Sequence, residues 1–496
     1  MKDDQYSYFV EGEDMLDRKA VAEPYRYTLV GKSILELIES GTLKPGDKIP
    51  SLRHMSTKMR VSIATVSQAY VDLESQGVIE SKPKSGFYVR SNFKRLPLPD
   101  LRQGSRIEPR EVNRSELIRT VKELVGRRDM LPFSVACPDD SLLPVRELSK
   151  IMASVLRDSP SCAIGYETVR GNAELRKQIA LHCMDAGATV MPDDIIITSG
   201  AMEAISTAIR CITRPGDIVL IQSPTFYCFL QLLDTLGLRA IEIPSRPEGG
   251  ILPADVAGVI NQFDVRACIF NFNFSNPDGS LLPVEAKKEI VDLLAEKSIP
   301  LIEDDVSGDL YFGPDRPQVC KKFDKRGLVM LCSSFSKTIS PGYRVGWLVP
   351  GKFYEKAQDI KTTSSICTAS PSQMAIAEFL RTGKYDRHLR RLRAAIEKQM
   401  QAMQLCVSRY FPPETKVTRP RGGLALWIEL PQYADSRDYF YQARAEGIGV
   451  VPGLIFSSQD KYKNFIRLTC NGTWSEEIEA GIRKLGKLAG KNGVSP

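Results

Sequence analysis

The chain has 496 residues, of which 43% are hydrophobic and 26% charged, and it carries a formal net charge of +7. That length exceeds a single core, and at about 150 residues per domain it suggests roughly three units. No apolar run approaches the ~20 residues that span a bilayer, and the acidic N-terminus lacks the apolar stretch of a signal peptide. Eleven scattered cysteines without a Cys-x-x-Cys pair fit a reduced, cytoplasmic protein better than a disulfide framework. The three histidines, His54, His182 and His388, lack metal-ligand spacing, so no metal site is expected.

Charge is uneven along the chain. Residues 1–24 hold three Lys/Arg against seven Asp/Glu, whereas residues 25–95 hold twelve against six. An acidic tail, 1–24, thus precedes a basic segment, 25–92, of the kind that faces a polyanion such as double-stranded DNA. Within that segment Ser51 opens one capped helix, Met59-Arg-Val61 forms a tight turn, and Ser62 caps a second helix that Gly77 closes. Ile63, Val66, Tyr70 and Leu73 recur at helical spacing and predict its buried stripe. Thr65 and Gln68 lie on the opposite face near the N-terminal end, where a recognition helix meets base edges. Two short strands follow around a Pro/Gly turn bearing Lys82, Lys84 and Gly86, a wing suited to a phosphate backbone.

Residues 93–128 have no sustained apolar period and are rich in Arg and Pro, so they read as a linker with one helix near 116–125. From 129 to 496, apolar strand-like runs alternate with helical patterns, which predicts an α/β domain built from parallel βαβ units. Several phrases in it carry chemistry. In Thr198-Ser-Gly200-Ala, a glycine joins strand to helix and lets backbone amides approach a phosphate. Ser223-Pro-Thr-Phe226 sets an aromatic ring after a strand, Asn276-Pro supplies an amide, and Asp304 ends a buried run. Ser333-Ser-Phe-Ser-Lys337 places a lysine among hydroxyls, with Arg344 seven residues on. A lysine condenses with an aldehyde, and hydroxyls with a fixed guanidinium are what a phosphate requires, so pyridoxal 5′-phosphate is the expected cofactor.

These phrases resemble two known families. Gly41-Thr-Leu-Lys-Pro-Gly46, Val61-Ser-x-x-Thr65-Val and Ser85-Gly-Phe-Tyr-Val89 resemble the winged helix-turn-helix of GntR-type regulators. That implies an N-terminal α+β DNA-binding domain with Arg53, Ser62, Thr65, Gln68, Lys82, Lys84 and Gly86 at the DNA. Ile63 departs from the arginine often found after the capping serine. The C-terminal phrases resemble fold-type-I aminotransferases, with a large and a small subdomain. That resemblance implies a Schiff base at Lys337, Asp304 at the pyridine nitrogen, Asn276 at the phenolic oxygen and Phe226 stacked on the ring. It puts Ser199, Gly200, Ala201, Ser334, Ser336 and Arg344 around the phosphate, with Tyr166 reaching a neighbouring subunit's phosphate and Arg467 clamping an effector's carboxylate. A tyrosine common three residues after the aspartate is replaced by Ser307, which counts against efficient transamination. The multidomain layout is similar to the MocR subfamily of GntR regulators. It implies a bacterial, homodimeric transcription regulator that senses pyridoxal 5′-phosphate, or an amine or amino acid, through its aminotransferase-like domain. The alternative is a working aminotransferase with an accessory N-terminal module.

Overall fold

The computed structural model describes residues 26–491, apart from residues 41, 76–77, 83–84, 91–95, 103–106, 112–114, 124–126 and 128. The acidic tail, the capping Gly77 and the wing lysine Lys84 therefore lie outside the described residues. Two compact units are present, 1–93 and 94–496.

The N-terminal unit packs helices α1 (Arg26–Glu39), α2 (Leu52–Met59) and α3 (Ile63–Ser75) beside an antiparallel hairpin of β1 (Ile79–Lys82) and β2 (Gly86–Val89). Ser51 caps α2 by accepting from the amide of His54 at 3.3 Å, and Ser62 caps α3 by accepting from Thr65 at 3.0 Å. Between them Arg60 takes a left-handed conformation (φ 52°), which turns the chain sharply enough to set α3 across α2. Val66, Tyr70 and Leu73 are buried as the spacing predicts, and the Tyr70 hydroxyl donates to the carbonyl of Pro50 at 2.7 Å. Ile63 differs: it is 48% exposed, and Ala69 fills the stripe instead. The first helical residue projects over the turn N-terminal to it, so Ile63 misses the core that the next helical turn covers.

The C-terminal unit contains two sheets. The larger has the order β3 (Ile196–Thr198), β9 (Gly346–Val349), β8 (Val329–Ser334), β7 (Leu301–Asp304), β6 (Val265–Phe270), β4 (Ile218–Ser223), β5 (Arg239–Pro244). The expected parallel pairing holds from β8 to β5, but β9 runs antiparallel to both neighbours, β8 and β3. Six strands therefore share one direction and point their carboxyl ends at one edge. Chain order reverses between β4 and β6, opening a crevice where ligands bind in α/β sheets. The smaller sheet is antiparallel, β10 (Lys416–Val417), β11 (Ala425–Glu429), β13 (Phe465–Thr469), β12 (Val451–Pro452), and packs with the long helix Lys384–Tyr410 and the C-terminal helix Glu476–Lys491. These are the large and small subdomains.

The stretch expected to be a linker is folded onto this unit wherever it is described. Leu96 and Leu101 are buried, the carbonyl of Pro97 accepts from Val417 at 3.0 Å, and Arg110 forms an antiparallel bridge with Ala240 on edge strand β5. Helix α4 (Ser115–Lys122) buries Ile118 and Val121. Single leucines on either side of a Pro-Leu-Pro run anchor the strap, and anchors without a period leave no helical or strand signature.

Leu73→Ala is expected to cost about 2–4 kcal/mol by leaving a cavity in the N-terminal core, whereas Ile63→Ala costs less than about 1 kcal/mol. Denaturant unfolding followed by a probe in this unit tests both; equal costs would reject the corrected stripe.

Candidate functional site

On the N-terminal unit, Thr65 is half-buried with its hydroxyl 2.8 Å from that of Ser62, and Gln68 is exposed one turn later. Arg53 is exposed on α2. On the hairpin, the Lys82 ammonium sits 4.5 Å from the centre of the Tyr88 ring and Lys48 lies 5.9 Å from it. Lys48, which sequence reasoning passed over, thereby joins the basic rim through a bridge to Tyr88. Gly86 holds φ 103°, which only glycine adopts readily, at the end of the wing turn.

The second cluster forms at the carboxyl edge of the large sheet, where successive strands deliver one group each. Ser199 and Gly200 follow β3, Phe226 follows β4, Asn276 follows β6, Asp304 ends β7, Ser334 ends β8, and Ser336 and Lys337 follow it. The reversed strand β9 begins at this same edge, and so brings in Arg344 just before it. Gly200 has φ 87° and precedes the helix Ala201–Ile212, whose first amides lack intrahelical partners. A Cβ on Gly200 would collide with the Arg344 guanidinium. Arg344 in turn donates to the carbonyl of Ser199 at 2.9 Å and to the Ser336 hydroxyl at 3.4 Å. The Ser199 amide itself is taken by Glu203. Gly346 permits this closeness, because a Cβ there would meet the Gly200 backbone at 2.6 Å.

Two cations dominate the interior of the pocket. The Lys337 ammonium donates to the carbonyl of Ala136. Arg467, on β13 and 1% exposed, donates to the carbonyl of Ser134 and to the Asn276 side-chain oxygen at 3.1 Å, leaving its buried Nε without a partner. Among the described residues, neither cation has a carboxylate within ion-pair distance. Burial pushes Lys337 below the ordinary lysine range, and Arg467 adds to that while Cys137 and Asp304 oppose it. Burial likewise brings Arg467 down to about 10. Ser134 and Ala136 act here through backbone carbonyls, which no side-chain motif announces.

Asp304 is buried and accepts from Val306 at 3.1 Å and from Asn271 at 3.4 Å. Asn271 is thus a neighbour the sequence reading missed. Tyr166 does not reach the cluster and is 88% exposed. Ser307 lies half-buried in the turn after β7, its carbonyl accepting from Leu310 at 3.0 Å.

Burial raises the Asp304 carboxyl from 3.8 to about 6, against the opposing amide of Val306. A carboxyl raised on folding contributes fully below its unfolded pKa and loses that contribution as pH climbs through the folded value. Asp304→Asn is therefore expected to gain about 2 kcal/mol relative to the wild type between about pH 4 and about pH 8 in cofactor-free protein. Urea unfolding at both pH values measures it, and a pH-independent difference would reject the raised carboxyl.

Comparison with known proteins assigns both units. The family described as bacterial regulatory proteins, gntR family, matches residues 26–89, and aminotransferase class I and II matches residues 136–485. YdcR and YjiR of Escherichia coli (strain K12), both named as uncharacterized HTH-type transcriptional regulators, are each 35% identical, over 93% of this chain and 98% of the relative. The 2-aminoadipate transaminase of Thermus thermophilus is 30% identical over 75% of this chain and 92% of its own length. The solved structure of LysN, an α-aminoadipate aminotransferase from Thermus thermophilus complexed with N-(5′-phosphopyridoxyl)-L-leucine, matches with a TM-score of 0.71. Its identity is 28%, over 77% of this chain and 96% of that one. With a gntR-family head, a class I and II aminotransferase domain, and similarity to HTH-type regulators over nearly its whole length, the chain belongs to the MocR subfamily of GntR-type transcriptional regulators.

Proposed function

We propose that the C-terminal unit holds pyridoxal 5′-phosphate at Lys337, and that occupancy of this pocket by the cofactor, or by an amine or amino acid joined to it, sets how the N-terminal unit acts on promoter DNA. The observation that carries this reading is the pair of cations, half-buried Lys337 and buried Arg467, that hydrogen-bond only carbonyl and amide oxygens beside Asp304, whose carboxyl burial raises to about 6. Such a site favours a ligand that brings anions and a protonated ring nitrogen. The cofactor's residues fit: Gly200, Ala201, Ser199, Ser334, Ser336 and Arg344 for phosphate, Phe226 for stacking, and Asp304 for the pyridine nitrogen. Asn276 spends its oxygen on Arg467, which spares its amide to donate to a phenolic oxygen.

Bound there, pyridoxal 5′-phosphate would supply an aldehyde carbon that exchanges amines and a ring that withdraws electrons. The chain's own groups do the rest. Burial lowers the pKa of the Lys337 amine, the Ala136 carbonyl orients it, and Arg467 offers donors to an effector's carboxylate. Ile164 and Tyr166, 86% and 88% exposed on one short segment, support a homodimer in which Tyr166 serves the phosphate of a second copy. A two-headed assembly in the bacterial cytoplasm would then read paired half-sites.

The purified protein is expected to show visible absorbance with pyridoxal 5′-phosphate that is lost in Lys337→Ala, and borohydride should fix a pyridoxyl group at that residue; a colourless wild type overturns the assignment. On a promoter fragment, Thr65→Ala or Gln68→Ala should weaken binding by roughly tenfold, against less than about twofold on random DNA. Equal losses on both would reduce α3 to backbone contact.

A further inference from the structure

The strap that enters the C-terminal unit touches both subdomains. The carbonyl of Leu96 accepts from Arg419 at 2.7 Å and the amide of Asp100 donates to Glu429 at 3.1 Å, both on the small subdomain. A few residues on, Arg110 exchanges two backbone hydrogen bonds, 2.9 and 3.0 Å, with Ala240 on the edge strand of the large subdomain. Between these attachments lies Leu101, whose carbonyl accepts from the Tyr462 hydroxyl at 3.3 Å.

Tyr462 is an unusual residue. It is wholly buried, edge-on to Trp427 and Phe465, and its backbone is left-handed (φ 58°), a conformation bulky side chains rarely adopt. Such strain persists only where surrounding contacts over-determine it, and it collects at functional positions. Besides Leu101, its hydroxyl lies 3.1 Å from the hydroxyl of Ser223, the last residue of β4. Ser223 donates to buried Glu242 at 2.7 Å, and Glu242 is held by Ser457, Ser458 and Lys461 of the small subdomain. Three residues after Ser223 comes Phe226, the ring proposed to stack on the cofactor, and the amide of Thr225 donates to Phe456 at 2.9 Å.

A tyrosine hydroxyl has one proton. With Ser223 donating to Glu242, the Tyr462 proton goes either to the strap or to the pocket wall, not to both. We propose that Tyr462 is the relay between pocket and strap: its hydroxyl donates to the Leu101 carbonyl in one state and to Ser223 in the other. A ligand that moves the Ser223–Phe226 wall thereby secures or loosens the strap that leads from the N-terminal unit. This rests on the cofactor reading above and names its regulation. Differential contact in two states is what a coupled pair of sites requires.

Hydrogen–deuterium exchange of the full chain, with and without pyridoxal 5′-phosphate, tests the relay. In the wild type, loading should change the exchange of the amides of Leu96, Leu98, Asp100 and Leu101, and of Val417, which donates to the strap, by about fivefold, the effect of one buried hydrogen bond. Tyr462→Phe keeps the ring and removes the proton; it should take up cofactor normally by absorbance yet lose that change. Ser223→Ala, which removes the competing acceptor and keeps the tyrosine, should also abolish the response. A wild-type strap that ignores loading while pocket amides respond, or a Tyr462→Phe strap that still responds, overturns the proposal. A wild type that takes up no cofactor removes the cofactor reading and this one with it.

Discussion

The C-terminal unit is organised around positive charge that the protein itself does not neutralise. Burying a guanidinium or an ammonium is costly unless an anion accompanies it, because the low-polarity interior replaces water poorly. Arg467 nevertheless sits on a central strand of the small sheet with one carbonyl, one amide oxygen and an unpartnered Nε. Elsewhere in the same unit some buried cations are paired with carboxylates, whereas Lys287 bonds only the Asn273 amide oxygen and the Gln318 carbonyl. Buried Arg316 pairs with both Asp305 and Asp309 at 2.6 Å, and Lys361 lies 2.9 Å from Glu203. The protein can therefore neutralise buried cations, yet Lys337 is met by a carbonyl, and Arg467 by a carbonyl, an amide oxygen and the Phe456 ring 5.6 Å away. What remains favours an outside anion, which is the physical basis of the proposed cofactor and effector reading.

Strand direction turns this demand into geometry. Six strands run one way, so the residues that follow them converge on one edge, and each loop contributes a group without having to be long. Reversing β9 adds the one thing a fully parallel sheet could not: a strand start at that edge. Arg344, two residues before β9, thereby lies against Gly200 at the end of β3. The glycines at 200 and 346 are both needed for that approach, since a side chain on either would collide with the other's surroundings. The sides proposed to face a phosphate and a carboxylate are thus built by different subdomains, the first by the large sheet and the second by β13 of the small one.

Much of this was legible in the sequence, for a physical reason. Groups that follow buried strands are announced by apolar runs ending in polar residues, which is how Asp304, Asn276, Phe226 and Lys337 stand out. The caps at Ser51 and Ser62 are legible because a hydroxyl placed before an apolar period has one common use. Ile63 misled because periodicity gives a face but not where the neighbouring core stops. The reversed β9 was hidden because a four-residue buried strand reads the same in either direction. The strap escaped because its anchors are single leucines and backbone carbonyls. Ser134, Ala136 and Leu101 all act through main-chain oxygens, and no residue type marks such a role.

Magnitudes limit what a single contact can regulate. One buried hydrogen bond shifts an equilibrium by about fivefold, far from the roughly 10⁴-fold bias that carries a two-state system from one extreme to the other. A strap held at Leu96, Asp100, Leu101 and Arg110 can exceed that limit only if its attachments release together. Their placement favours this: three sit on the small subdomain and one on the edge of the large one, so a shift of one subdomain against the other loads all of them at once. Glu242 resists such a shift, being clasped from the small subdomain by two serines and Lys461 while it accepts from Ser223. In a two-headed assembly, where both heads must engage, a modest bias per chain is also squared, so that about fivefold becomes roughly 25-fold. On the proposed relay, a small, reversible change at one hydroxyl would then be enough to tune promoter occupancy without unfolding any element of the C-terminal unit.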